Sequence, residues 1–353
     1  MNFTRLIRAA AIAGLAFASP LIFAADQPQP EVRGTFRYAT TAAHFDVSPP
    51  LRSIPIVPSP DAEGSGFFGS LMADPDPPGK LTYGEQDRDE SVQDWIGPPL
   101  DIPAPGQNFN VGTGTANPPD PVGDVSATHY VRMSNSSFQI FNKTGTSQFG
   151  PASINTLFVG FTGPCEVENA GDPIVLYDQL ADRWLLTQFS DGTGPGFFLC
   201  VAISTSPDPL GTYFRYAFQT AVFPDYPKFG VWPNAYLMST REVSNSVIGA
   251  YAVDRVQMLA GNPTPTIISF ANTMTAETAR FLGDGLLPAD LDGNTPPAAG
   301  SPAYFVGSMD DGGPYGATFD ALFVWKFNIN FANPPASTFV LAPPIPISPY
   351  DTI

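Results

Sequence analysis

Histidine is almost absent from this chain of 353 residues, which contains only His44 and His129. Neither lies in a G-x-S-x-G setting, so the sequence shows no recognisable serine or cysteine nucleophile activated by histidine. Only two cysteines are present, and a zinc site of clustered His and Cys is therefore excluded by counting. A glycine-rich phosphate loop that opens a helix is also missing. These absences leave carboxylates as the plentiful reactive side chains.

Basic residues are also scarce: the chain has 16 Lys and Arg, 33 Asp and Glu, and a formal net charge of −17 at pH 7. A chain this acidic repels nucleic-acid phosphates and anionic lipid. We therefore expect neither nucleic acid nor a bare membrane surface as a partner. The excess acid is typical of an exported protein that its charge keeps soluble.

Long apolar runs are missing after the N-terminus. Residues 1–24 combine two arginines, an apolar stretch and a terminal alanine, which is the pattern of a signal peptide and is too short for a membrane-spanning helix. The mature protein is expected to be secreted or periplasmic. Two cysteines in that oxidising environment favour a disulfide between Cys165 and Cys200, and two free buried thiols are the alternative.

Stretches with helical period are missing too, whereas proline (40), glycine (32) and aromatic residues (12%) are abundant. This composition indicates short strands joined by turns, and hence an all-β fold. Residues 25–115 are rich in proline and turn residues, which predicts an irregular N-terminal arm with one strand in VRGTFRYAT.

Residues 116–353 contain loosely repeated units, each with about four strand-sized segments separated by turn residues. In the second unit PIVLY is continuously apolar, as expected for an inner strand buried on both faces. Radially repeated four-stranded units indicate a β-propeller with about four blades, and a β-sandwich of similar strands is the alternative. Each unit begins near an aspartate, and these are Asp124, Asp172, Asp225 and Asp290.

Several long motifs resemble a group of large secreted bacterial proteins that lack an established activity. The matching stretches include GDPIVLYDQLADRW, CVAISTSPDPLGTYFRYAF and LLPADLDGNTPPAAGSPAYF. The resemblance covers about residues 105–350 and implies an exported β-propeller in which Cys165 and Cys200 are paired or close. Members of that group usually continue beyond the point that matches Ile353. The resemblance therefore implies a fragment of a longer protein, with an incomplete ring of blades.

Aspartates at the starts of successive blades are expected to converge toward one end of a central channel. Glycoside hydrolysis needs such carboxylates, one as acid and one as base or nucleophile, which makes Asp172 and Asp225 the catalytic candidates. In the alternative role, each aspartate accepts backbone N–H bonds where the chain enters its inner strand. Repetition favours the structural role, because catalysis needs unlike residues. A glutamate acid would come from Glu166, Glu168 or Glu242.

Two further patterns have both a functional and a structural interpretation. In ADLDGN the oxygen-bearing residues alternate around a glycine, which suits calcium but also makes a polar turn; they are Asp290, Asp292 and Asn294. One tryptophan falls in each of three units, either stacking on sugar rings or packing between blades, and packing is favoured; these are Trp184, Trp232 and Trp325.

The sequence thus favours a secreted, non-enzymatic propeller that binds an extracellular glycan or surface protein. The export signal and the repeated blades support this hypothesis, as does the scarcity of histidine and of recognisable catalytic motifs. The first alternative is a carboxylate-dependent glycoside hydrolase of propeller type. The second is an N-terminal fragment of a longer secreted protein. No cofactor is expected apart from the calcium that ADLDGN allows.

Overall fold

The computed structural model describes residues 31–58, 106–111, 116, 118–190, 192, 196–242, 246–283, 285–293 and 295–350. From Val32 onward these residues belong to one compact unit. The expected signal peptide, residues 1–24, lies outside the described residues, as does much of the predicted arm. The division of the chain into signal peptide, arm and propeller domain therefore stays a prediction.

Strands dominate the described chain. In order they are β1 (Thr35–Thr41), β2 (His44–Val47), β3 (Val122–Val125), β4 (His129–Ser134), β5 (Ser137–Asn142), β6 (Ser147–Ser153), β7 (Ile174–Asp178), β8 (Arg183–Phe189), β9 (Phe197–Ser204), β10 (Tyr213–Thr220), β11 (Asp225–Trp232), β12 (Ala235–Glu242), β13 (Val247–Asp254), β14 (Thr266–Thr273), β15 (Leu287–Pro288), β16 (Ala303–Met309), β17 (Ala321–Asn328), β18 (Thr338–Leu341) and β19 (Ile345–Pro346). The helices are short: α1 (Pro164–Val167), α2 (Arg255–Leu259), and 3-10 turns at Leu51–Ser53, Ile154–Phe158, Ala279–Phe281 and Pro334–Ala336.

The strands form four antiparallel sheets, which are the blades of a β-propeller. Blade 1 is β3-β4-β5-β6, and blade 2 is β7-β8-β9-β10 with β2 added outside β10. Blade 3 is β11-β12-β13-β14 with β1 added outside β14, and blade 4 is β15-β16-β17-β18 with β19 also beside β17. The inner strands β3, β7, β11 and β15 are neighbours in that order. The predicted all-β propeller with about four four-stranded blades is confirmed.

The period-two alternation of strands explains how the blades stack. In β8, Trp184 and Leu186 belong to the core between blades 1 and 2, whereas Leu185 belongs to the core between blades 2 and 3. Successive side chains point to opposite faces of a sheet, so a middle blade needs apolar residues at nearly every position of a central strand. This explains why RWLLTQF is buried after its first residue.

The three tryptophans of the blades pack between the sheets. Trp184 is fully buried in the core between blades 1 and 2, and Trp232 and Trp325 are buried in the core between blades 3 and 4. Burial of such a side chain contributes roughly 1.5–3 kcal/mol or more. The packing interpretation of these residues is confirmed. Trp184 and Trp325 are closed to sugar rings, whereas the nearly buried Trp232 also borders a cavity of blade 4.

Residues 32–57, here called the belt, run along the outer edges of all four blades. In blade 4 the Gly34 N–H donates to the Phe339 carbonyl at 2.8 Å. β1 then pairs with β14 of blade 3, and β2 pairs with β10 of blade 2. In blade 1 the Ser153 N–H donates to the Val57 carbonyl at 2.9 Å. The sequence predicted one strand in this segment; the structure has two, and they cover edges that would otherwise be unpaired.

Three ion pairs join the belt to the middle blades in the described chain: an exposed one between Arg52 and Asp208, and two that involve a buried side chain. Arg37 of β1 binds the buried carboxylate of Glu242 with an N–O distance of 2.6 Å. Asp46 of β2 binds the buried guanidinium of Arg215, also at 2.6 Å. Removing one partner of a buried pair leaves an uncompensated charge and costs about 3–5 kcal/mol.

Cys165 of α1 and Cys200 of β9 form a disulfide with Cα atoms 5.7 Å apart, as predicted. On the chain-entropy model, a closed loop of 35 residues adds roughly 3–4 kcal/mol of stability. A disulfide of this kind indicates an extracellular or periplasmic protein. Among the helices that the structure describes, none has the length and apolar character to span a membrane.

Candidate active site

Three inner strands begin with the same local pattern, a residue in the left-handed region followed by proline. The residues are Asp120, Asp172 and Tyr226, with φ of +38°, +44° and +48°. Non-glycine residues rarely adopt this conformation, which costs of order 1–3 kcal/mol and is often found at functional sites. Residues 120–122, 172–174 and 226–228 line one cavity of about 310 Å³. Blades 1, 2 and 3 therefore each contribute a strained turn to this cavity, which is here called the mouth.

Asp172 is the most buried acid at this mouth, with 5% of its surface exposed. Its Oδ2 accepts one bond from the Tyr226 N–H at 3.2 Å. Its Oδ1 is buried, and no N–H or hydroxyl among the described residues donates to it. The carboxyl of Asp120 is within hydrogen-bonding distance. Two carboxyl groups share a hydrogen bond only when one is protonated, so this pair retains a proton.

The electrostatic surroundings of Asp172 favour its neutral form. Burial raises the pKa of Asp172 to about 7, and the negative charges of Asp120 and Asp225 add to the rise. The ammonium of Lys228 acts in the opposite direction without cancelling it. A large fraction of the molecules therefore carries a protonated Asp172 near neutral pH, which is the state that a general acid requires.

Asp225, the first residue of β11, lies beside a bulge in the pairing of β11 with β12. Such bulges re-aim side chains, and the proline at 227 cannot donate a ladder bond at this point. Burial raises the pKa of Asp225, whereas a bond from the Tyr226 N–H at 3.0 Å and the charge of Arg241 lower it. Burial outweighs these two effects, so the pKa of Asp225 is raised, and the Tyr226 N–H bond and the Arg241 charge limit the rise.

Two cations flank the aromatic ring of Tyr226 at the mouth. The Lys228 ammonium lies 3.7 Å from the ring centroid and the Arg241 guanidinium lies 4.2 Å from it. Burial lowers the pKa of Lys228, while Asp172 and Asp120 raise it. Asp120, Asp172 and Lys228 line the cavity, and Asp225 immediately precedes the lining residue Tyr226. The three acids Asp120, Asp172 and Asp225 are here called the start cluster.

A second group of acids lies toward the other end of the inner strands and is here called the far cluster: Asp124, Asp290 and Asp292. Asp124 Oδ2 accepts from the Tyr177 N–H at 2.6 Å, and Asp290 Oδ1 accepts from the Val231 N–H at 2.7 Å. Burial raises the pKa of both Asp124 and Asp290, and the nearby charge of Asp292 adds to it.

The expected convergence of four aspartates on one end of the channel is therefore wrong. Asp172 and Asp225 meet at the start cluster, but Asp124 lies four residues further along its strand than Asp120. At the rise of a β-strand this is about 13 Å. Asp124 and Asp290 instead bind backbone amides of neighbouring inner strands, which is the structural role that the repetition in the sequence favoured.

The predicted calcium ligands belong to the far cluster. Asp290 is engaged by Val231, and Asp292 Oδ1 accepts a long bond of 3.5 Å from Gln179. Asn294 lies outside the described residues. Calcium at this turn stays a prediction.

The predicted glutamate acids do not line the cavity. Glu166 accepts the backbone N–H bonds of Gly160 and Thr162, each at 2.7 Å, and Glu242 binds Arg37 of the belt. Glu168 is buried in the segment that precedes β7. The two histidines make packing and hydrogen-bonding contacts away from the cavity. His44 packs edge-on against Phe161, and His129 forms a hydrogen bond with Thr128.

A further acidic group in blade 4 was not foreseen. Carboxylate oxygens of Asp310, Asp311 and Asp320 lie within 4.8 Å of one another. Asp320 already accepts the N–H groups of Asp311 and Tyr350, each at 3.0 Å, so its carboxylate holds this loop together. These three residues could supply oxygen ligands to a cation, but the hydrogen bonds of Asp320 already account for the position of its carboxylate without a bound cation.

Asp120 and Lys228 are the residues of the mouth that sequence reasoning missed. Asp120 and Asp172 both stand in an Asp-Pro pair at the start of an inner strand, and Lys228 follows the equivalent Tyr-Pro pair. Aligning the repeats on these prolines, rather than on the nearest aspartate, identifies the mouth.

No protein-family model matches the chain, and no curated protein sequence matches it. The resemblance to secreted bacterial proteins therefore stays a prediction. Among solved structures, the chain is similar to an exo-β-1,3-galactanase from Phanerochaete chrysosporium with galactose, at 11% identity and a TM-score of 0.33, over 65% of this chain and 62% of that one.

Two further solved structures are similar at the same level. A GH43 β-1,3-galactosidase matches with 13% identity and a TM-score of 0.30, over 64% of this chain and 57% of that one. An exo-1,5-α-L-arabinanase from a bovine ruminal metagenomic library matches with 11% identity and a TM-score of 0.31, over 66% of this chain and 97% of that one. The match thus spans about three fifths of the galactanase and of the galactosidase.

These matches contradict the prediction of a non-enzymatic binding propeller, because all three structures are named as enzymes that cleave glycosidic bonds. They also give no support to a cell-surface protein as the partner. A likeness of this size concerns the fold alone. Any chemistry assigned to this chain has to rest on its own start cluster.

Proposed function

We propose that this chain is a glycoside hydrolase whose active site is the start cluster. The observation that carries the proposal is Asp172: a buried carboxyl at a cavity, with one oxygen that receives no N–H or hydroxyl bond from the described residues, beside two other acids. Glycosidases need one carboxylic acid with a raised pKa and one ionised carboxylate at the same sugar.

Asp172 acts as the general acid. Its pKa of about 7 keeps a proton available at neutral pH, and that proton goes to the leaving glycosidic oxygen as the bond breaks. The unused Oδ1 is suited to this transfer, because no protein donor in the described chain competes for it.

Asp225 acts as the second carboxylate, either as the base that activates water or as the nucleophile. Burial raises the pKa of Asp225, and the Tyr226 N–H bond and the Arg241 charge oppose this rise and so support its ionised form. Asp120 is unsuited to this role, because it lies within hydrogen-bonding distance of Asp172. Carboxyl groups that flank a scissile bond stand about 5–5.5 Å apart in retaining enzymes and further apart in inverting ones. Asp120 is therefore the partner that shares the proton of Asp172.

The size of the cavity limits the substrate. About 310 Å³ lies near the lower end of small-molecule sites, which run from about 300 to 1,000 Å³. A single sugar unit fits such a space, and a long oligosaccharide has to extend out of it.

The first experiment tests hydrolysis directly. The disulfide-bonded protein is incubated with aryl glycosides of common pentoses and hexoses in both anomeric forms, and with the corresponding polysaccharides. We expect release of the aryl group from a narrow subset, and NMR of the first product shows whether the anomer is retained or inverted. Asp172→Asn should reduce kcat/KM by about 10²–10⁴-fold on glycosides with poor leaving groups. Hydrolysis unaffected by this change, or absent from the whole panel, counts against the proposal.

A further inference from the structure

Asn135, in the turn between β4 and β5, binds the carboxyl of Asp120 and the backbone of Asp172. Its Nδ2 donates to Asp120 Oδ2 at 3.2 Å, and its Oδ1 accepts from the backbone N–H of Asp172 at 2.7 Å. Nδ2 also donates to the Pro118 carbonyl at 3.2 Å, and the backbone N–H of Asn135 donates to the Pro119 carbonyl at 2.9 Å. One side chain thus joins the starts of two inner strands.

The partners determine the orientation of the Asn135 amide. The N–H of Asp172 can only donate, so it must face Oδ1, while the Pro118 carbonyl can only accept and must face Nδ2. No other side chain of this length offers a donor and an acceptor at the same time. Aspartate keeps the acceptor and loses the donor to Asp120.

Gly171 provides the space for this contact. A Cβ at position 171 would lie 2.7 Å from Asn135 Oδ1, and the φ of Gly171 is +113°. A side chain there would displace the asparagine and strain the backbone. This explains why glycine immediately precedes Asp172 in the Gly-Asp-Pro sequence.

We propose that Asn135 is a positioning residue that holds the carboxyl of Asp120 beside Asp172, by joining the starts of β3 and β7 through its amide. The charge of Asp120 at this position adds to the raised pKa of Asp172, so the proton on Asp172 depends on where Asn135 holds Asp120. The catalytic consequence rests on the proposed hydrolase, whereas the effect on the proton does not.

Three charged groups face Asp172: Asp120 from the segment before β3, and Asp225 and Lys228 from β11. Arg241 of β12 faces Asp225. Asn135 adds no charge to this group and acts only through its hydrogen bonds. Its replacement by alanine therefore removes one donor without altering the net charge, and its replacement by aspartate adds a negative charge.

The test measures the pKa of Asp172 by carboxyl-carbon NMR titration in the full chain without substrate, with Asp172→Asn identifying the signal. In Asn135→Ala, Asp120 loses the bond that holds it beside Asp172, so its contribution to the raised pKa weakens and the pKa of Asp172 should fall by about one unit. In Asn135→Asp, the added charge should raise it by about one unit. The second variant keeps the size and the acceptor but adds a charge to the loss of the donor, so it checks that the pKa of Asp172 senses this position, whereas the fall in Asn135→Ala tests the donor itself.

Asn169 provides the matched control. Its Nδ2 donates to the Ser136 carbonyl at 2.9 Å, so it supports the same turn, and none of its hydrogen bonds in the described structure reaches Asp120 or Asp172. Asn169→Ala should lower thermal stability and leave the pKa of Asp172 unchanged. Equal pKa shifts in the Asn135 and Asn169 variants, or no shift in either Asn135 variant, would overturn the positioning role.

Activity separates this inference from the proposed function. If glycosides are hydrolysed, the alkaline limb of kcat/KM should move with the pKa of Asp172, downward in Asn135→Ala and upward in Asn135→Asp. If both variants are active and the alkaline limb of their kcat/KM profiles lies at the wild-type pH, the positioning role is contradicted. Opposite NMR shifts in a chain that cleaves no glycoside support the role of Asn135 and remove the hydrolase proposal.

Discussion

The start cluster and the far cluster both place buried acids on the inner strands, yet they differ in how their oxygens are used. In the far cluster, Asp124 and Asp290 receive backbone bonds of 2.6 and 2.7 Å from neighbouring strands. In the start cluster, Asp172 receives one backbone bond of 3.2 Å, and its other oxygen receives none from the described residues. Burial raises the pKa of acids in both places. The unused oxygen at a cavity, rather than the raised pKa, distinguishes Asp172, the proposed general acid, from the acids of the far cluster.

The largest difference between the clusters should be in catalysis. Asp225→Asn removes the ionised carboxylate and should reduce kcat/KM by at least about 10²-fold. Asp290→Asn changes the same functional group at the far cluster, and should leave kcat/KM within about twofold while weakening a charge-assisted bond. Hydrolysis rates and thermal unfolding of both variants test this. Similar losses of activity in the two variants would remove the distinction between the clusters.

The second difference concerns the pH profile. Asp172 must be protonated to act as the acid, so kcat/KM should fall as the pH rises through about 7. The charge of Asp120 contributes to that raised pKa, and Asp120→Asn should move the alkaline limb down by about one unit. Asp124→Asn is the control, with the limb expected to stay in place. A limb that moves equally in both variants contradicts the assignment of Asp172.

The third difference is in stability. The pKa of Asp172 is about 7 in the folded chain and about 3.9 in an unfolded one, so the native state binds the extra proton in this range. The contribution of Asp172 to the unfolding free energy is therefore greatest below about pH 4 and is lost as the pH rises to 7. Relative to wild type, Asp172→Asn should gain up to about 4 kcal/mol over this window.

Urea unfolding at pH 4, 5.5 and 8 measures this gain. Asp290→Asn should show a smaller pH-dependent change, because its carboxylate keeps the Val231 bond when ionised. A stability difference between wild type and Asp172→Asn that is independent of pH would show that Asp172 titrates normally.

The smallest effect is expected at Asp292, an exposed acid of the far cluster. Asp292→Asn removes a like charge that raises the pKa of Asp124 and Asp290, so both pKa values should fall. The unfolding free energy should change by no more than about 0.5 kcal/mol, as for most surface substitutions. Carboxyl NMR titration detects the shifts. A loss of hydrolysis in this variant would connect the far cluster with the reaction.

The blades could be predicted from sequence because each central strand shows its environment locally. A run such as PIVLY or RWLLTQF is apolar at successive positions, which fits a strand packed on both faces, and turn residues mark its limits. The sequence of the belt strands β1 and β2 does not show which strands they pair with. Each binds residues more than 150 positions later in the chain, and a local pattern does not contain that information.

The candidate site was half predictable. Asp172 and Asp225 were identified as candidates because carboxylates were the plentiful reactive groups. Asp120 was missed because the repeats were aligned on aspartates, which equated Asp124 with Asp172 although they lie at different levels of the channel. Asn135 gave no sequence signal at all, because an asparagine in a hairpin turn has an ordinary local explanation. Its role depends on what the fold brings against it.

The belt has a consequence for the order in which the molecule folds. It is synthesised before every blade, yet its partners lie on all four of them, and the Arg37–Glu242 pair alone spans 205 residues of chain. Contacts of such long range form slowly, because the intervening loop must close first. β2 needs only blade 2 and β1 needs blade 3, whereas the segment at Gly34 cannot reach its partner before blade 4 has formed. The first residues of the described chain are therefore expected to be among the last to make their native contacts.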